Sequence, residues 1–273
     1  MQHSLVIDQG DAQFALPDEK FTREVIRLID AAEKSGILLR AVGSNAIRIR
    51  MPPELRPLHY ELRKLTDIDF VSSSGAPKKK LVKLFSDMGY NPWMHVIRSQ
   101  LNRHIYENGD GIHVDVFFGK ISMCHTIDFD KRLKIDKYTA PLAEILLGKT
   151  QIIQISRKDV LDVMFLLLSH PIGDTDSETL NAKYLSEEYM SRDWGFYFTV
   201  RTNLEKMRDT FLNDPDYGGR LTQSQRGIIA TRINQVLNYF EKVDKSFGWK
   251  MRAKIGTKQK WYDEVENFEH ITT

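Results

Sequence analysis

The sequence predicts an α/β (α+β) protein, a mixed sheet flanked by helices and followed by an all-helical C-terminal domain. Two observations carry this. In the first half, strand-like runs such as "ILLRAV" (37–42), "TDIDFV" (66–71) and "GIHVDVFFG" (111–119) alternate with amphipathic helical stretches. From about residue 139 the strand-like runs cease and helical periodicity alone continues. That change sets the expected domains at 1–138 and 139–273. A chain of 273 residues suits one large domain or two of roughly 150.

The elements follow in order. Residues 18–35 place Phe21, Val25, Leu28, Ile29 and Ala32 at helical spacing, with Gly36 as the stop. "ILLRAV" reads as a buried strand that ends at Gly43 and Ser44, with a helix expected to start at Asn45. After "TDIDFV", the loop "SSSGAP" leads to an amphipathic helix, "KKKLVKLFSDMGY" (78–90). "GIHVDVFFG" is a strand between glycines, and "ISMCHTI" (121–127) is a candidate hairpin partner for it. Five helical stretches follow: "TAPLAEILLGKTQII", "SRKDVLDVMFLLLSH", "SETLNAKYLSEEYMSR", "WGFYFTVRTNLEKMRDTFLN" and "TQSQRGIIATRINQVLNYFEKV". Their breaks fall at "HPIGDTD" and "NDPDYGG".

Bulk properties exclude several classes. A hydrophobic fraction of 41% with 28% charged residues fits a globular protein, and a net charge of +2 gives no global basic field for nucleic acid. "MQHSLVIDQGDAQF" has no basic and apolar leader pattern, so no secretory signal is expected. The run "VMFLLL" falls far short of the roughly 18 apolar residues of a membrane span. One cysteine, Cys124, excludes an internal disulfide and fits a reducing compartment; the expected address is the cytoplasm. His104, His113 and His125 show no ligand spacing, and no dinucleotide or P-loop glycine motif occurs.

The chemistry is expected where carboxylates sit inside strands. Aspartate is poor in strands, yet "LTDIDFV" holds two. Residues two apart on a strand share a face about 6.5–7 Å from one another. Asp67 and Asp69 therefore point one way while Ile68 and Phe70 point to the apolar side. In "HVDVFF" the alternation isolates Asp115 in the same manner. If the two strands are neighbours, three carboxylates converge, and their repulsion calls for hard cations such as Mg²⁺ or Mn²⁺. Two such ions roughly 3.5–4 Å apart clamp the attacking and leaving oxygens of a phosphoryl displacement. Asp115 would be the third ligand or the base that takes the hydroxyl proton. Upstream, "VGSNA" is a strand, a Gly–Ser turn and a helix start, a geometry that binds phosphate. The plainer alternatives are a turn-capping role for Asp67 and Asp69, a half-exposed strand position for Asp115, and simple helix capping by Ser44.

Gly43 and Ser44, then Asp67-Ile68-Asp69, then Asp115 on a later strand, resemble the ordered motif of the polymerase-β-like nucleotidyltransferase superfamily over about residues 37–170. The spacing is most similar to its bacterial abortive-infection (type IV toxin) branch. That branch approaches its Asp-x-Asp through Arg-x-Thr/Ser; here "RKLTDIDF" matches Arg63 and Thr66 only loosely. It also carries a helical Lys, a basic-Asp pair and a further Asp, matched by Lys149, by Lys158 with Asp159, and by Asp162. The resemblance implies a Mg²⁺-dependent transfer of a nucleoside monophosphate from a nucleoside triphosphate to a hydroxyl on an RNA end, a protein or a small molecule. It implies that Asp67 and Asp69 hold the metals, with Asp115 beside them. Gly43, Ser44 and Lys149 would bind nucleotide, and Arg63, Lys158 and Asp159 would be accessory. A toxin paired with an antitoxin protein and a non-catalytic nucleotide-binding protein are the alternatives. "SRKD" is also a capping-like pattern, which leaves Asp159 open to a purely helix-terminal role, and Lys149 to a solvated one. The lysines of "KKK" (78–80) form either a solvated face or a phosphate contact. The segment 245–262 interleaves six basic residues with Phe247, Trp249, Trp261 and Tyr262. It is either an RNA-binding patch or a segment docked on the domain by its tryptophans.

Overall fold

The computed structural model describes residues 19–99 and 102–264; the stretch 1–14 considered above for a signal lies outside them. Helix α1 (Glu19–Lys34) leads into β1 (Leu39–Val42), α2 (Gly43–Arg50), α3 (Arg56–Leu62) and β2 (Asp67–Ser72). Next come α4 (Lys78–Asp87), β3 (Tyr90–Pro92), α5 (Met94–Ser99), β4 (Arg103–Asn108) and β5 (His113–Phe118). After β6 (Lys120–Ser122) and β7 (Thr126–Asp128), the second half holds α6 (Leu142–Thr150) and α7 (Arg157–Ser169). It continues through β8 (Ile172–Gly173), β9 (Leu180–Asn181), α8 (Ala182–Leu185), α9 (Trp194–Asp209), α10 (Gln223–Lys242) and α11 (Phe247–Ile255).

Five strands form one mixed sheet in the order β1-β2-β5-β4-β3. β2 and β5 run parallel and the other neighbours antiparallel. The period-2 alternation of β2 and β5 gives the sheet two unlike faces. Ile68, Phe70, Val114 and Val116 are fully buried on one. There α4 lays Phe85 on Tyr106 with ring centroids 4.2 Å apart, and α1 packs against both β1 and α4. Fully burying an apolar side chain of this size is worth about 1.5–3 kcal/mol. The opposite face carries Asp67, Asp69, Asp115 and Arg103. One hydrophobic core runs from Phe21 to Phe240 and includes α6, α7, α9 and α10.

The chain enters the helical half along the outer edge of β1. Ala41 donates its N–H to Tyr138 O at 2.9 Å, and Ala140 returns the bond to Ala41 O at 2.9 Å. Helix α7 starts at Ser156, whose hydroxyl accepts from the Asp159 N–H. Helix α10 starts with a reciprocal capping box of Thr222 and Gln225.

Three expectations are corrected. "ISMCHTI" does not extend the sheet beside β5; β6 and β7 pair with each other in a separate two-stranded ribbon. The stretch 177–192 is not one helix, because Leu180 and Asn181 pair with β8 and Asn181 then caps the short α8. Helix α2 begins at Gly43 itself, two residues before Asn45.

Candidate active site

The register of the parallel pair decides the geometry of the carboxylates. Asp69 stands opposite Asp115, and Asp67 opposite His113, so Asp67, Asp69 and Asp115 share one face of two adjacent strands. Neighbouring strands lie about 4.8 Å apart. Asp67 is exposed and Asp69 and Asp115 are half-buried. Among the described residues no hydrogen bond or ion pair reaches the Asp69 carboxylate. Burial, then the charges of Asp67 and Asp115, push its pKa up to about 8. Burial also raises Asp115, against the pull of Arg103. That arginine, from β4, grips Asp115 with one edge of its guanidinium: Nε donates to Oδ1 at 3.1 Å and Nη2 to Oδ2 at 2.8 Å.

β1 delivers the second part. Val42 is the partner of Asp69 across the antiparallel pair, so the turn that follows lies directly against the carboxylate. Gly43 has φ +64°, and a Cβ there would sit 2.8 Å from Asp69 Oδ2. Only glycine meets both demands. The N-terminus of α2 has no side-chain cap, so its first N–H groups are available to an anion. Asn45 ties α2 to β2 by donating to Asp67 O at 2.7 Å.

Behind this turn lies a buried polar network centred on Asp162 of α7, which has no exposed surface. Its Oδ2 accepts from Ser44 Oγ at 2.6 Å, lies 2.9 Å from Lys149 Nζ and 3.4 Å from Arg63 Nε. Its Oδ1 lies 3.2 Å from His59 Nε2. Arg48 Nε donates to His59 Nδ1 at 2.9 Å, so Nδ1 is the acceptor and the neutral ring carries its proton on Nε2, toward Asp162. Burial, reinforced by Arg48 and Arg63, keeps His59 below its ordinary value against the pull of Asp162. Burial would raise Asp162, but Lys149, His59 and Arg63 hold it far below the usual carboxylate range. Burial would lower Lys149, and Asp162 and Asp159 hold it above its ordinary value.

Of the sequence-predicted residues, Asp67, Asp69 and Asp115 share the open face of two adjacent strands, with Gly43 against Asp69. Ser44, Arg63, Lys149 and Asp159 meet in the network: Arg63 Nη2 donates to Ser44 Oγ at 2.5 Å and Lys149 Nζ to Asp159 at 2.9 Å. Asp159 also accepts from the Ser156 hydroxyl at 2.7 Å, so it is both a helix-terminal residue and a partner of Lys149. Lys149 is not solvated. Lys158 is exposed in the first turn of α7, and no described contact joins it to the others. His59, Arg48 and Arg103 were missed. The β4 strand was not read at all, and a pairing between positions 103 and 115 leaves no mark on local periodicity.

As they stand, no three His, Cys, Asp or Glu residues among those described close around a point that could hold a metal ion. Asp115 is occupied by Arg103. Asp67 and Asp69 nevertheless supply hard oxygen donors, and Mg²⁺ is commonly held by one or two carboxylates together with water and substrate phosphates. The donor set fits that mode.

The two tryptophans of the basic C-terminal segment pack inward, whereas its Phe247 is exposed. Trp261 Nε1 donates to Thr199 Oγ1 at 3.1 Å and its ring meets Phe198 edge-on at 5.2 Å. Trp249 meets Tyr197 at 5.2 Å. The docking alternative holds for both tryptophans. In α4, Lys78 lies over the Phe118 ring at 4.6 Å, while Lys79 and Lys80 are exposed. No helix among the described residues is long and apolar enough to cross a membrane.

No protein-family model and no curated protein matches the chain. Among solved structures it is similar to the antibiotic-resistance factor ANT(2'')-Ia at 11% identity and a TM-score of 0.31, over 82% of this chain and 96% of that one. It is also similar to a "putative nucleotidyltransferase from H. pylori" at 11% identity and a TM-score of 0.35, over 85% of this chain and 100% of that one. The α/β architecture assigned here rests on the chain's own strand order and register.

Proposed function

We propose that the chain is a nucleotidyltransferase that moves a nucleoside monophosphate from a nucleoside triphosphate to a hydroxyl acceptor. The observation that carries this reading is the register that sets Asp69 opposite Asp115, with Asp67 on the same face and the uncapped start of α2 against Asp69.

The turn at Gly43 and Ser44 receives the triphosphate, whose oxygens take the free N–H groups of α2. Lys149, fixed by Asp159 and Asp162, adds a positive charge beside the Ser44 hydroxyl, 3.3 Å away. Asp67 and Asp69 are the residues that would hold Mg²⁺ or Mn²⁺, which when bound supplies charge neutralisation at the triphosphate. The acceptor oxygen attacks the α-phosphorus and forms the new P–O bond. The bond to the oxygen bridging toward the β-phosphate breaks, and pyrophosphate leaves with that electron pair. Asp115, in its carboxylate form, lies on the same face to take the acceptor's proton.

Incubation with each radiolabelled triphosphate, total cellular RNA and lysate protein should give a labelled product. Asp67→Asn and Asp69→Asn should each lower labelling by on the order of 10³-fold. Undiminished labelling in either variant removes the catalytic assignment.

A further inference from the structure

Arg103 and Asp115 face the same side of neighbouring strands, because Phe117, two residues beyond Asp115, is the register partner of Arg103. Their contact is a two-bond fork, at 3.1 and 2.8 Å. Such a fork occupies the two carboxylate lone pairs best placed for a cation, and the guanidinium's charge repels any cation that approaches the others. Part of the fork reaches water, with 25% of the Arg103 side chain and 17% of Asp115 exposed, while the guanidinium also lies over the Phe117 ring at 5.4 Å. A guanidinium matches phosphate oxygens in the same fork geometry as it matches a carboxylate.

Resting on the nucleotidyl-transfer reading, we propose that Arg103 is a triphosphate-binding residue held in reserve on Asp115, so that Asp115 reaches a divalent cation only when substrate phosphate draws the guanidinium away. In the absence of nucleotide, Arg103 and the cation compete for one carboxylate. With nucleotide bound, Arg103 has a second anion and the competition is relieved. Cation and nucleotide then strengthen each other's binding through a single side chain, as linkage requires.

The test uses the full chain and Mn²⁺ as the probe, followed by electron paramagnetic resonance without nucleotide. Arg103→Gln should tighten Mn²⁺ binding on the order of tenfold or add a bound ion. The gain should vanish in the Asp115→Asn background. Arg103→Lys, which keeps the charge and loses the fork, should fall between wild type and Arg103→Gln; it also serves if the glutamine variant does not fold. With a non-hydrolysable triphosphate analogue present, Arg103→Gln should bind the analogue more weakly than wild type, and the cation dependence of that binding should shrink. Unchanged Mn²⁺ binding in folded Arg103→Gln, an equal gain without Asp115, or no Mn²⁺ binding in any variant overturns the inference. If Arg103→Gln changes nothing while Asp69→Asn still abolishes labelling, the inference fails and the nucleotidyl-transfer reading stands. If the Mn²⁺ response appears but no triphosphate yields a labelled product, it is that reading which fails.

Discussion

Asp162 and Asp69 are the same residue type, the first fully buried and the second half-buried, and their pKa values are driven in opposite directions. Asp162 receives Ser44, Lys149, Arg63 and His59, and its charge is held far below the usual range. Asp69 receives no described hydrogen bond or ion pair and faces two further carboxylates, which with burial push it up to about 8. A fold that equips one buried carboxylate with four partners has the means to equip another. Leaving Asp69 with like charges on the open side of the sheet raises the cost of the ligand-free state. A proton below about pH 8, or a cation from outside, would each relieve that repulsion, whereas the charge of Asp162 is already answered from within the fold.

The largest effect expected from this contrast is at Asp162. Asp162→Ala leaves Arg63 buried without its carboxylate and Lys149 with Asp159 alone, and should cost about 3–5 kcal/mol in urea denaturation. A loss under 1 kcal/mol would break the comparison. Asp69→Asn should have the opposite sign. In metal-free buffer the native carboxyl retains its proton up to about 8, while the unfolded one loses it near 3.8. Wild-type stability is thus penalised increasingly as pH rises from about 4 to about 8, and the asparagine variant escapes this. Its thermal midpoint should exceed that of wild type by a margin that grows across that window.

Much of this contrast was legible in the chain before its structure. The alternation in "TDIDFV" and "HVDVFF" exposed the carboxylates because a strand's period is two, and only their adjacency had to be assumed. Lys149, Asp159 and Asp162 were picked out only through the family resemblance, and the contact of Lys149 and Asp162 with Ser44 was not foreseen. His59 escaped because it reaches Asp162 from α3, 103 positions away along the chain, and Arg48 of α2 because it joins the network through His59. No local pattern encodes such contacts. Arg103 escaped with its whole strand, since "RHIYEN" mixes charge and apolar residues too evenly to announce a sheet.

Gly43→Ala sharpens the contrast at smaller cost. The positive φ alone should destabilise by roughly 1–2 kcal/mol, measured by denaturation. Because the new methyl would press on Asp69 Oδ2, labelling should fall by more than that stability loss explains. The smallest effect belongs to Lys158, exposed and outside both clusters. Lys158→Ala should change stability by less than about 0.5 kcal/mol and leave labelling unchanged, whereas removal of the Lys149 charge should reduce both.

The loop that joins the two halves also seals the sheet. By exchanging backbone bonds with Ala41, residues 138–140 occupy the side of β1 that would otherwise offer unpaired N–H and C=O groups to another molecule. At the far side β3 is three residues long and includes Pro92, which has no N–H to give. Neither border of the sheet extends an invitation to strand addition, and the protein gains resistance to edge-to-edge aggregation from a linker whose evident task is only connection.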